Sequence, residues 1–298
     1  MQANLHMINK KGIIMNHVAQ LLSIDKIHRL GYTGRGIVIA VPDTGCFPHK
    51  LIKQNIIHFE DFIQYKALPY DDNSHGTHVC GILCANKGTG PIYGIAPDAG
   101  IIPLKVLEHD GTTKSEKLME GINWILNNYK KYNIRIVNIS IGMPSTNCAD
   151  ENSVLVKAVN SLWDAGLVVV ASAGNDGPDS YTITTPGISR KIITVGSNEK
   201  LTTVNPYGKI STRYSSQGPT HCNIPKPDIL TVGNKIISCA NRPGHYSTKS
   251  GTSMSTPIVS GAAALILSYD PMLSNIRIKE LLCNFSDSKE LDIARLFF

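Results

Sequence analysis

Five short apolar runs, at residues 37–41, 101–107, 134–141, 167–173 and 192–195, punctuate the chain, each bounded by Gly, Asp or Asn. A strand with one wet face alternates apolar and polar residues, whereas a strand covered on both faces reads as a near-continuous apolar run. Between these runs lie helical patterns. Leu118, Met119, Ile122, Ile125, Leu126 and Tyr129 make one apolar stripe at helical spacing, and Val154, Leu155, Ala158, Val159 and Leu162 make a second. Strand alternating with helix predicts a single α/β domain with a doubly wound, mostly parallel sheet and helices on both faces. Residues 254–268 are apolar nearly all round and predict a helix buried inside the protein.

The 298 residues suffice for one large α/β domain, and dispersed Gly and Pro with 42% hydrophobic residues exclude disordered and collagen-like classes. Net charge is +6, but Lys and Arg never run beyond pairs such as Lys10-Lys11 and Lys130-Lys131. Nucleic-acid binding needs clustered cations, so no nucleic-acid partner is expected. Ser260 and Gly261 interrupt the longest apolar stretch, well short of the roughly 18 residues of a membrane span, so no membrane partner is expected either. Only four residues separate Lys11 from Asn16, too few for the apolar core of a secretory signal, and a cytoplasmic location is the expectation. Seven irregularly spaced cysteines fit reduced thiols better than a disulfide framework. Residues 1–16 read as a short polar extension preceding a domain over 17–298.

In a parallel α/β sheet, ligands bind outside the carboxyl ends of the strands. Four suggestive segments fall at such transitions: Asp43 after the first run, His75 opening a helical stretch, Asn175 after the run at 167–173, and Ser253 before the buried helix. A serine hydroxyl becomes nucleophilic when a positioned imidazole takes its proton, and a carboxylate orients that imidazole. Asp43, His75 and Ser253 supply the three groups. The Asn175 amide and the Ser253 N–H supply donors for a developing oxyanion. The order Asp, His, Ser excludes the α/β-hydrolase elbow, which needs Ser, acid, His and a second Gly after the serine. His75 and His78 could also be read as zinc ligands beside Cys80 and Cys84, but Gly76 stands where a zinc protease carries Glu. His78 then reads as a packed structural histidine, with Cys80 and Cys84 in the core. Cys46, three residues beyond Asp43, is either a buried inert thiol or a reagent-sensitive one beside the site.

The segments Val41-Pro42-Asp43-Thr44-Gly45, His75-Gly76-Thr77-His78-Val79, Ser172-Ala173-Gly174-Asn175 and Gly251-Thr252-Ser253-Met254-Ser255-Thr256-Pro257 resemble the four signature segments of the subtilisin family of serine proteases. Val137-Asn138-Ile139-Ser140-Ile141-Gly142, Tyr214-Ser215-Ser216-Gln217-Gly218-Pro219 and Lys226-Pro227-Asp228-Ile229 extend the similarity over about residues 18–298. The resemblance implies a subtilisin-like fold and a serine endopeptidase working through an acyl-enzyme. Asp43 is then the orienting carboxylate, His75 the base and acid, Ser253 the nucleophile and Asn175 the oxyanion donor. Ser140, Ile141, Gly142, Ala173 and Gly174 would line the cleft and pair an extended peptide through free backbone groups, with the two glycines keeping its approach clear. Thr184 stands where many relatives carry Gly at a pocket floor, which predicts a shallower pocket.

Asp176 at the rim, with Asp71 and Asp72 before His75, suggests a taste for basic residues. No cofactor or metal is expected. Residues 46–50 lack the Asp that many relatives use for structural calcium, and the loop 86–91 offers one Asn beside Lys87. The chain looks similar to the intracellular branch or to leader-removing peptidases, which makes a polypeptide or a precursor peptide the expected partner. Residues 1–16 either lie across the cleft or fray. A catalytically silent peptide-binding module of the same shape is the alternative.

Overall fold

The computed structural model describes residues 13–14, 18, 22–86, 88, 92–204, 210–284 and 289–298. In chain order its strands and helices are β1 (Ile13–Ile14), α1 (Ile24–Arg29), β2 (Val38–Asp43), β3 (Glu60–Asp61), α2 (His75–Cys84), β4 (Gly100–Lys105), α3 (Ser115–Asn128), β5 (Ile134–Ile139), α4 (Val154–Asp164), β6 (Val168–Ser172), β7 (Ile193–Ser197), β8 (Leu201–Val204), β9 (Ile210–Arg213), β10 (Ile229–Thr231), β11 (Ile236–Cys239), β12 (Tyr246–Lys249), α5 (Thr252–Tyr269) and α6 (Asn275–Asn284).

Seven strands form one sheet in the order β10-β7-β6-β5-β2-β4-β3, with every neighbouring pair parallel. All residues of β2, β6 and β7 are buried, which is why their sequences carry no polar alternation. Helix α2 packs on α5, and α3 packs on α4, one pair to each face of the sheet. In α3 the buried residues are Leu118, Gly121, Ile122 and Ile125; in α4 they include Leu155, Ala158, Val159 and Leu162. Val154 lies outside its expected stripe at 68% exposure, because Ser153 caps the helix there by accepting from the Val156 N–H. Helix α5 is buried along nearly its whole length, as its composition requires.

After β2 the chain builds β3 and β4 on one side, then crosses to β5 on the other. The ends of β2 and β5 therefore flank the point where connections diverge, and the residues following them face the same crevice. A smaller three-stranded sheet, β1-β11-β12, packs against α2. Of the polar extension, residues 13–14 pair parallel with Ile236 and Ile237; residues 1–12 and 15–17 lie outside the described residues.

One expectation is overturned. Cys148 and Cys222 form a disulfide, while Cys46, Cys80, Cys84 and Cys239 are buried free thiols and Cys283 is half-buried. The bridge joins the loop after β5 to the loop before β10, segments 74 residues apart that meet only in three dimensions. The cysteine count therefore carries no argument for a reducing compartment. No described helix is long and apolar enough to cross a membrane. Closing a loop of this length confines the unfolded chain, so a Cys148→Ser, Cys222→Ser double variant should lose about 2–4 kcal/mol in urea unfolding. In the native protein, thiol titration should find one readily reacting cysteine, Cys283, rising to three after mild reduction.

Candidate active site

Asp43 ends β2 and is completely buried. Its Oδ1 accepts from His75 Nδ1 at 2.7 Å and from the Thr44 N–H at 2.7 Å, while Oδ2 is buried without a partner. His75 is the first residue of α2, and what aims it is a knot around the buried carboxylate of Asp71. Asp71 Oδ1 accepts from Thr44 Oγ1, Asn73 N and Ser74 N; Oδ2 accepts from Thr77 N and Thr77 Oγ1, all within 3.0 Å. The two residues straddling Asp43 and His75 are thus tied to one anion, and Thr44 Oγ1 also accepts the Gly76 N–H at 2.9 Å. Only glycine fits at position 76, since an added Cβ would lie 2.0 Å from the Gly45 carbonyl oxygen. Lys105, fully buried at the end of β4, closes the knot: its ammonium donates to the Thr44 and Leu107 carbonyls and pairs with Asp72 at 2.7 Å. Lys105 lies within the run at 101–107 that reads as buried, but the sequence does not show what its ammonium would meet.

These contacts correct one expectation. Asp71 is saturated by five internal hydrogen bonds and Asp72 is neutralised by Lys105, so neither offers a free charge to a substrate. Asp176, by contrast, is exposed at the rim.

Ser253 is the second residue of α5, where backbone N–H groups have no partner in the preceding turn. Its hydroxyl donates to the Ser140 carbonyl at 3.1 Å, and its own carbonyl accepts from Ser140 Oγ at 3.1 Å. Ser140 Oγ in turn accepts from Asn138, whose Oδ1 accepts from Ser260 on α5, so a buried polar chain pins the serine turn to the end of β5. Among the described residues no hydrogen bond joins Ser253 to His75; of the two expected links in the triad, the one between Asp43 and His75 is formed. Asn175 Oδ1 accepts from the Thr252 N–H at 2.9 Å, which fixes the amide plane beside the serine and leaves Nδ2 without a partner among the described residues.

The cleft edges differ from each other. Among the described residues Ile141 and Gly142 carry no backbone hydrogen bonds, whereas the Ala173 carbonyl accepts from Thr184 and the Gly174 carbonyl from Ser216 N. The edge at 173–174 is therefore used internally, and the free pairing edge is the one at 141–142. The glycines also have a different reason from the one expected. A Cβ at Gly142 would lie 2.2 Å from Thr184 Oγ1, and one at Gly174, with φ +104°, 2.6 Å from Thr184 Cγ2. Thr184 fills the space between the two edges. The segment from Tyr214 buttresses the Asn175 loop through Gly177 N to Tyr214 O and Asp176 N to Ser216 Oγ.

Comparison with known proteins gives the family. The model of the subtilase family matches residues 34–297. The chain belongs to the subtilase family. It is 41% identical over 275 residues to serine protease AprX of Bacillus subtilis, a match covering 86% of this chain and 62% of AprX. It is 33% identical to subtilisin BL of Lederbergia lenta, covering 88% of this chain and 87% of that one. Among solved structures, sphericase superposes with a TM-score of 0.73 at 32% identity, covering 86% of this chain and 84% of sphericase.

Within this subtilase the two histidines of α2 sit in opposite electrostatic settings. Burial alone lowers the His75 imidazole, but the charge and hydrogen bond of Asp43 outweigh burial and the repulsion of Lys249 and hold it above 6.5. His78 is pushed down to about 3 by burial, with Lys249 and His75 adding to the effect. Its Nε2 lies 3.1 Å from the Ile236 and Ser247 carbonyls, which makes it a neutral strut between α2 and the β11-β12 hairpin. Burial raises the thiols of Cys46 and Cys84 well above 9, and that of Cys239 to about 12, so these are inert core residues. Among the described residues no group of three or more His, Cys, Asp or Glu side chains is arranged to hold a metal. The loop 86–91 is only partly described.

Two outcomes follow for the site. A base must be neutral to accept a proton, so kcat/KM should fall as pH drops, with its midpoint above 6.5, and Asp43→Asn should move that midpoint down; a pH profile on a neutral peptide reads both. Asp71→Ala leaves several buried donors unpaired and should cost about 3 kcal/mol in urea unfolding.

Proposed function

We propose that this chain is a serine endopeptidase and that Asp43, His75, Ser253 and Asn175 are its catalytic residues. The observation that carries the reading is the fixed Asn175 amide. Its oxygen is consumed by Thr252, so its Nδ2 and the Ser253 N–H are both left to receive an oxyanion. A binding module has no use for such a pair beside a serine.

In this mechanism Ser253 Oγ turns from the Ser140 carbonyl toward His75, a rotation about one side-chain bond. Catalytic hydrogen bonds of this kind tighten once substrate is seated. His75 Nε2 takes the hydroxyl proton as Oγ attacks the scissile carbonyl, and Asp43 stabilises the resulting imidazolium. Negative charge moves to the carbonyl oxygen, where Asn175 and the Ser253 N–H meet it without reorganising. His75 then returns the proton to the departing amine. Water repeats the sequence on the acyl-enzyme and frees Ser253.

The substrate is a polypeptide whose acyl side lies along Ile141 and Gly142, with the side chain at the cleaved bond directed toward Thr184. Because Thr184 occupies that space, large aromatic residues are disfavoured there and small ones preferred. Residues 17–298 are read as one catalytic domain without a cofactor. Broad proteolysis and removal of a leader from a dedicated precursor are the two roles this chemistry serves, and they differ in how many sites are cut. Cleavage profiling on a peptide library separates them, with a narrow consensus pointing to the precursor.

A fluorophosphonate probe should label Ser253, and Ser253→Ala should abolish both labelling and about 10⁶-fold of turnover. Asn175→Gly should keep its labelling site but lose about 10²–10³-fold in kcat, as expected for one missing oxyanion donor. An unlabelled, inactive wild-type chain would favour the silent module instead.

A further inference from the structure

The β11-β12 hairpin stands beside the catalytic histidine and carries charge that the mechanism does not use. Its loop is fastened to the segment preceding His75: Asn241 N donates to Ser74 Oγ at 3.3 Å, and Asn241 Nδ2 donates to the Asp71 carbonyl at 3.1 Å. Arg242 follows in that loop and is exposed. At the far end of β12, Lys249 precedes Ser253 by four residues and is half-buried. Lys249 feels Asp71 and Asp43 electrostatically, and His75 and His78 both feel Lys249. Neither Arg242 nor Lys249 has a hydrogen-bonded or ion-paired partner for its side-chain cation among the described residues.

The acids nearby are already matched. Asp43 holds His75, Asp71 is saturated by the knot around it, and Asp72 pairs with Lys105. Arg242 and Lys249, on the hairpin fastened to the segment preceding His75, are left without a side-chain partner among the described residues. Which half of the substrate passes the hairpin follows from the chemistry. The acyl half occupies the side of Ser253 bounded by Gly142, Gly174 and Thr184, while His75 delivers its proton to the departing amine and so faces the other half.

We propose that Arg242 and Lys249 form a cationic platform for the leaving half of the substrate, selecting peptides with acidic side chains, or a carboxylate, in the first positions after the cleaved bond. The proposal rests on the serine endopeptidase reading given above. It assigns recognition on this side to the hairpin, whereas the acyl side depends on Thr184 and the edge at 141–142. Charge complementarity of this kind acts on encounter and orientation, and it weakens as salt rises.

The test uses internally quenched peptides that share one acyl half with a small residue at the cleaved bond and differ only in the next two positions: Ala-Ala, Asp-Glu or Lys-Arg. The readout is the ratio of kcat/KM for each charged peptide to that for Ala-Ala within one protein variant, so that any general loss of activity cancels. The wild-type chain should favour Asp-Glu over Lys-Arg by about tenfold at low salt. Lys249→Gln and Arg242→Gln should each reduce the preference, and the Lys249→Glu, Arg242→Glu double variant should invert it. Arg242 is exposed in a loop, so its single variant tests the idea even if changes at Lys249 unfold the hairpin. A wild-type ratio near one, or a preference unmoved by the double reversal, overturns the platform while leaving the endopeptidase reading intact. Failure of the wild type to cut Ala-Ala or to take a fluorophosphonate label overturns the endopeptidase reading, and the platform with it.

Discussion

A completely buried carboxylate with one unpartnered oxygen, Asp43, is the constraint around which this molecule is arranged. An anion in that position is costly unless donors meet it. The donors come from the Thr44 N–H and His75, and both must be held against a chain that gains nothing locally from placing them there. Asp71 does the holding. By accepting from Thr44, Asn73, Ser74 and Thr77 it ties the end of β2 to the first turn of α2, and Lys105 anchors the end of β2 from β4 through the Thr44 carbonyl. Two buried acids and one buried lysine thus interlock. The packed α/β core, which brings β2, β4 and α2 together, supplies the rigidity that keeps them in place.

The fold was legible where burial leaves a sequence no choice. Strands covered on both faces can hold little but apolar residues, so β2, β4, β5, β6 and β7 announced themselves, as did α5. Strand order did not, because short connections and their handedness say how a crossover turns but not to which side of β2 it goes. The β11-β12 hairpin was also missed: Tyr246, Ser247, Thr248 and Lys249 are all partly or fully exposed, and that composition reads as loop.

For the site, residue types at strand ends and helix starts were enough to single out Asp43, His75, Asn175 and Ser253 as candidates, and the structure joins Asp43 to His75. Partners were not legible. Asp71 and Asp72 looked like free acids near a substrate because a carboxylate in a sequence carries no sign of what will neutralise it. Lys105 and Lys226 are both buried, and nothing in the sequence names the groups that meet their ammoniums; Lys226 is pushed down to about 8 by burial even with Asp228 at 2.6 Å. Gly142 and Gly174 were correctly seen as needing space. The body they make room for is Thr184, a residue of the chain itself. The pairing of Cys148 with Cys222 depended on two loops meeting and had no local signature.

The division of charge around the cleft has one further consequence. Asp43, Asp71 and Asp72 each have partners inside the protein, and those contacts are what position the histidine. Arg242 and Lys249 of the hairpin are not needed for that purpose and have no side-chain partner among the described residues. Lys249 lowers His75 while Asp43 raises it, so the lysine that tunes the histidine is also one of the two residues proposed to meet the leaving half of the substrate. A substrate that brings negative charge to that half satisfies Lys249 and Arg242 while seated and removes the satisfaction on leaving. Recognition on that side and the acidity of the histidine are therefore coupled through Lys249, whereas the acyl side is shaped by the volume of Thr184 and the glycines around it.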